Sequence, residues 1–133
     1  MAALQEQVNL LIGLGYKRLA AQAKVAHDVV LLAMEKLLSL LRHGIVSRRP
    51  KDVFDMYYLS PRLNRNVLRT YMASLIYAST RCKERSKEDV LGSLKRTFSS
   101  KRYLSKLGSA RVNWIGVSPK VATSTVAEFI ASI

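Results

Sequence analysis

Between Lys17 and Arg42 the chain runs without a proline or a glycine and is dense in alanine and leucine. Nothing else in it constrains the fold so tightly. Such residues lose little freedom in a helix, and a stretch this long makes about seven turns. Ala26, Val29/Val30, Ala33, Leu37 and Leu40/Leu41 recur at helical spacing, and Leu31, Leu32 and Leu38 place apolar groups on other sides. The second half of the helix is therefore expected to be buried over most of its circumference. Arg42-His43-Gly44 closes it, with cations in the last turn and glycine just beyond. Val8 to Ile12 reads as a short strand or a helical turn, and residues 1–16 as a poorly determined lead-in.

The rest of the chain repeats the helical theme. Lys51 to Leu59 reads as a short helix carrying Phe54, Tyr57 and Tyr58. Ser60-Pro61 is a start signal, serine at the cap and proline in the first turn, for a helix expected to reach about Thr80. It should bury Val67/Leu68, Tyr71/Met72 and Leu75/Ile76 and carry Arg62, Arg65 and Arg69 in one stripe on the opposite side. Ser86-Lys87-Glu88-Asp89 resembles a capping box ahead of Val90, Leu91, Leu94 and Phe98. A shorter helix turns Tyr103, Leu104 and Leu107 inward, and Ala110 to Gly116 is irregular. Ser118-Pro119 opens a last amphipathic helix. The expectation is a single all-α domain over 1–133, a bundle of about six helices with at most one vestigial N-terminal strand.

Totals bound the function classes. The 133 residues are 49% apolar, enough for a folded domain with a real core. Cys82 is the only cysteine, which excludes an intrachain disulfide and suits a reducing compartment. The apolar run Val29 to Met34 stops at Glu35-Lys36, far short of the ~20 residues a bilayer span requires. The N-terminus carries Glu6 and lacks a basic opening, so no secretory signal is expected and the chain reads as cytoplasmic. The formal charge of +13 is uneven: residues 61–133 hold fourteen Lys/Arg against four Asp/Glu. That field favours a polyanionic partner such as RNA, DNA or an acidic protein, although solvated basic faces give similar totals.

The chemistry candidates gather in Arg49-Pro50-Lys51-Asp52-Val53-Phe54-Asp55. Asp52 and Asp55, three apart on a helix, leave one face and can share a cation. They could contribute to a magnesium site, or cap the short helix and pair with Arg49 and Lys51. Lys36 lies on a helix that looks mostly buried. Its ammonium could snorkel to solvent, pair near Glu35, or contact a triphosphate. The stripe Arg62, Arg65 and Arg69 could track a nucleic-acid backbone or form a solvated face. His27 and His43 have no partner at zinc-ligand spacing, and no phosphate-cradling glycine loop or nucleophile elbow occurs.

Leu32-Ala33-Met34-Glu35-Lys36-Leu37, followed by a basic loop and then Arg49 to Tyr57, resembles the C-terminal half of the AbiE-type nucleotidyltransferase toxins of abortive-infection and toxin–antitoxin systems. Phe98 to Leu104 and Asn113-Trp114-Ile115-Gly116 fit the later part of that pattern loosely. The resemblance runs from about residue 27 onward. It implies Mg2+-dependent transfer of a nucleotide from an NTP to an RNA acceptor such as a tRNA end. Lys36 would contact the NTP phosphates, Asp52 and Asp55 would support the catalytic site, and Arg49 with Lys51 would orient anionic groups. The family's metal signature, Gly-Ser followed by Asp-x-Asp, is not matched: Gly92-Ser93 and Gly108-Ser109 fall in the wrong half, and no Asp-x-Asp occurs in the sequence. The chain therefore reads as the helical half of such an enzyme, expected to be inactive by itself and to need an N-terminal half or another partner. The alternative is a basic helical module that binds RNA, DNA or an antitoxin without catalysis.

Overall fold

A computed structural model describes Leu4 and residues 17–133, without the side chains of residues 17–23 and of Ala26. The expected Val8–Ile12 element and the inward placement of Ala26 lie outside that description. Among the described residues there are six α-helices and no strand, so the all-α expectation holds.

Helix α1 spans Lys17–His43. Val30, Ala33, Met34, Leu37 and Leu40 are buried, while Asp28, Leu32 and Glu35 keep one side wet. The helix is thus apolar over a wide arc rather than nearly all round. Gly44 follows in the left-handed region at φ +50°, where an L side chain is strained. A Cβ there would also stand 3.2 Å from the Thr97 hydroxyl. A 3₁₀ turn, Gly44–Val46, then leads into the basic loop.

Helix α2 spans Asp52–Leu59 and buries Val53, Phe54, Met56 and Leu59. Its Ser60-Pro61 boundary departs from expectation. Ser60–Arg62 is a separate 3₁₀ turn, and the Ser60 hydroxyl turns back to donate to the Met56 carbonyl instead of capping forward. Leu63 is extended, and Asn64 caps the true start by accepting from the Val67 amide. Helix α3 is accordingly Arg65–Met72, continued by a π-turn over Ala73–Tyr77 in which the Ala78 amide reaches the Ala73 carbonyl. The extra residue per turn changes the helical phase. Ile76, five beyond Tyr71, inherits the inward place, and Leu75 is left 39% exposed.

Helix α4 spans Lys87–Phe98. Ser86 accepts from the Asp89 amide, and the Asp89 carboxylate accepts in turn from the Arg85 amide, a capping box with its return bond one residue early. Helix α5 is Lys101–Lys106, capped by Ser100. Helix α6 is Pro119–Ala131, where Pro119 presets the first turn and Ser118 makes no side-chain cap. Helix α1 packs against α2, α3 and α4, and α6 closes over α2 and α4. All six helices contribute to one apolar core, with Tyr103 and Leu107 fully buried in it. No helix among the described residues is long and apolar enough to cross a membrane.

Candidate functional site

The packing of α1 on α2 decides what the two aspartates share. Lys36, near the end of the Ala-rich helix, points at the first turn of α2, and its Nζ lies 3.5 Å from Asp52 Oδ1 and 3.2 Å from Asp55 Oδ2. The shared cation is this ammonium. Glu35 is exposed and takes no part in these ion pairs. Snorkelling is equally displaced, because only 13% of the Lys36 side chain is accessible.

Asp52 is wholly buried, and among the described residues neither carboxylate oxygen has a hydrogen-bond donor. Its charge is answered by Lys36 and by the Arg49 guanidinium, whose Nε lies 3.7 Å from Oδ1. An unanswered carboxylate at that depth would cost several kcal/mol, so the two cations are structurally required. Asp55 is more open. Its second oxygen accepts from the Trp114 indole N–H at 2.8 Å, tying the loop before α6 to the first turn of α2.

The other expected members divide. Arg49 is held with its amide donating to Ser47 Oγ and its side chain 60% exposed. Lys51 is exposed and immediately precedes α2. Its carbonyl accepts from the Phe54 and Asp55 amides, and its side chain makes no ion pair with either aspartate. Of the two cations weighed as pairing with the aspartates, Arg49 reaches Asp52 and Lys51 does not.

Three residues that the sequence reading left without a site role complete the arrangement. Lys106 donates to the carbonyls of Ile45 and Ser47 at 2.9 and 3.3 Å, pinning the basic loop from α5. Tyr103 is buried with its hydroxyl unpartnered among the described residues. Its burial, and after that the Asp52 charge, push its ionisation well above the ordinary tyrosine value. Trp114 is the third. The signals were the inward place expected for Tyr103 and, for Trp114, its being the single tryptophan and its Asn-Trp fit to the later part of the resemblance; Lys106 had none.

The donor set can be tested against magnesium. That ion prefers octahedral oxygen coordination and retains several waters. Here one carboxylate is fully buried, the other is already bonded to an indole, and an ammonium lies between them. No cluster of three or more His, Cys, Asp or Glu side chains suited to a metal forms among the described residues. These residues fit a lysine and do not fit a resident Mg2+.

The arginines separate likewise. Arg65 and Arg69 share α3, but Arg62 belongs to the preceding 3₁₀ turn, so the single-helix stripe is corrected. Arg62 and Arg65 line a groove of about 640 Å³ with Tyr57, Tyr58, Pro61 and Phe129. Arg69 lies outside that lining and donates to the Asn66 side chain.

What fold and site define is an all-α bundle in which a largely buried lysine meets two aspartates between α1 and α2, with the exposed Arg49 beside the deeper one. Comparisons with protein-family models, with characterised proteins and with solved structures give no match.

Proposed function

We propose that this chain is the helical, phosphate-facing part of a nucleotidyltransferase-like toxin, which transfers a nucleotide from an NTP to RNA. The observation that carries this reading is the convergence of Lys36 on Asp52 and Asp55 from a different helix. It is the grouping that the AbiE-type resemblance requires, and a lysine and two aspartates on unrelated faces would have excluded it. In this reading Asp52 and Asp55 act as positioning residues. They fix the Lys36 ammonium within the α1–α2 junction, while exposed Arg49 and Lys51 add positive charge nearby. An ammonium so anchored meets a phosphate oxygen without first losing side-chain freedom.

The cluster carries two positive and two negative formal charges, so its attraction for an anion depends on the neighbouring basic loop. The magnesium implied by the resemblance belongs, in this proposal, to carboxylates outside the present sequence, and no step is assigned to it here. The chain alone is proposed to be inactive.

The test is transfer of labelled nucleotide to tRNA by the chain co-produced with whatever is encoded directly upstream of Met1. Wild type should label the RNA, and Lys36→Gln and Asp55→Asn should each reduce labelling at least ten-fold while far-UV circular dichroism is retained. Labelling that survives both substitutions, or no labelling with any NTP, rejects the reading. A basic binding module without catalysis is the second reading, favoured by the groove at Arg62 and Arg65.

A further inference from the structure

We infer that the groove between the α2–α3 turn and α6 is a binding surface for single-stranded nucleic acid, with Trp114 as the stacking platform and Arg62 and Arg65 as the phosphate contacts. The inference stands apart from the role proposed for Lys36 and does not require catalysis.

Four observations meet at this place. The groove, about 640 Å³, is lined by Tyr57, Tyr58, Phe129, Arg62 and Arg65 and has no acidic residue in its lining. Trp114 stands beside it with its ring 5.7 Å from Tyr58 in an edge-on arrangement, and is 51% exposed although tryptophan is among the costliest residues to leave in water. Its orientation is fixed by the bond to Asp55, which holds the half-exposed indole in place at the protein surface. The two guanidiniums are also oriented. Arg62 lies 3.8 Å over the Tyr58 ring, and Arg65 lies 5.3 Å over Phe129 while donating to Ser132. Neither forms an ion pair with a carboxylate among the described residues.

An exposed indole beside two arginine guanidiniums suits an extended strand, because every base has a π-face and every nucleotide a phosphate. Base stacking needs unpaired nucleotides, which a duplex does not offer at its flank. Charge complementarity points the same way: the chain carries +13, concentrated in the half that supplies Arg62, Arg65 and Trp114. An acidic protein would satisfy the arginines but would leave the open indole without a planar partner.

Trp114 is the single tryptophan and therefore reports on its own site. Oligo(U) and oligo(dT) of about 12 nucleotides, within the range one such surface covers, should quench its emission on titration. The quench should be salt-sensitive, and a duplex of equal length should compete poorly. By anisotropy of a labelled oligonucleotide, Trp114→Ala should weaken binding about ten-fold, and Trp114→Phe, which keeps a stacking ring but loses the bond to Asp55, no more than about three-fold. Arg62→Gln with Arg65→Gln should weaken binding and flatten the log–log salt slope by about 1.4, the share of two phosphate contacts on a single strand. Lys101→Gln with Arg102→Gln, exposed on α5, is the control and should do neither. The inference is overturned by an unquenched Trp114, by duplex binding equal to single strand, by polyglutamate competing as well as the oligonucleotide, or by equal losses from both double substitutions. Failure here leaves the NTP-transfer assay at Lys36 unaffected, so the two readings fall separately.

Discussion

Replacing Lys36 by methionine is the most direct probe of the cluster. The new side chain keeps most of the apolar stem and removes only the ammonium. At 3.2 and 3.5 Å from the two carboxylates, with an effective dielectric near 20, each attraction is gross about 5 kcal/mol. Most of that is offset by the cost of drying the three charges, so the gross figure is not the effect. What remains after substitution is a fully buried Asp52 answered only by Arg49, whose side chain is 60% exposed and 3.7 Å away. Removing one member of a buried pair costs about 3–5 kcal/mol. Arg49 and the partial opening of Asp55 place the expected loss near the lower end, about 3 kcal/mol. With a urea dependence of about 2 kcal/mol per molar for a domain of this size, the unfolding midpoint should fall by about 1.5 M. Circular dichroism and Trp114 fluorescence should follow the same transition.

Asp52→Asn in the Lys36→Met background removes the stranded charge and should recover more than half of the loss. The double-mutant cycle should show about 2 kcal/mol of interaction. If the two substitutions add within about 0.5 kcal/mol, the ion pair is not what holds α1 to α2 at this point and the argument fails.

Two further outcomes follow from the same core. Burial, then the Asp52 charge, raises the Tyr103 ionisation. Below the ordinary tyrosine value of about 10 both folded and unfolded chains hold the proton. Above it the unfolded chain releases the proton first, so stability should fall by about 1.4 kcal/mol per pH unit until the folded phenol ionises as well. Tyr103→Phe should remove one proton's worth of that slope and, by deleting an unpartnered buried hydroxyl, leave stability at neutral pH unchanged or higher; an unaltered alkaline slope would refute the assignment. Gly44→Ala should cost about 1–2 kcal/mol in urea melts, because φ is positive and Thr97 is 3.2 Å from the added carbon, whereas Gly92→Ala, in mid-α4 with ordinary space around it, should stabilise by about 0.5–1 kcal/mol.

Much of the fold was legible because its causes are local. The Ala/Leu run ending at Gly44, the Ser86 capping box and Pro119 at the start of α6 each depend on bonds or dihedrals within three or four residues. Where local signals competed, reading failed. Ser60-Pro61 looks like a helix start, yet the Ser60 hydroxyl is taken by the Met56 carbonyl and Asn64 four residues on does the capping. That displacement moved Arg62 off the helix that carries Arg65 and Arg69. The π-turn at Ala73–Tyr77 kept Ile76 buried but left Leu75, expected inside with it, exposed, since an extra residue in one turn is not written in the apolar period.

By itself the sequence determined that this chain is helical and strongly basic, and that Asp52 and Asp55 leave one face of a short helix. It did not determine what those carboxylates hold. The pattern left open a magnesium ion on the one hand and helix capping with pairing to the flanking Arg49 and Lys51 on the other. Only the packing of α1 against α2 brought Lys36 between them, and only the return of the chain before α6 set Trp114 against Asp55, 59 residues away. The physical reason is the range of the forces involved. Helix formation is settled by hydrogen bonds to the next turn, while the partner of a buried charge is settled by which helices share a core, a question no local period answers.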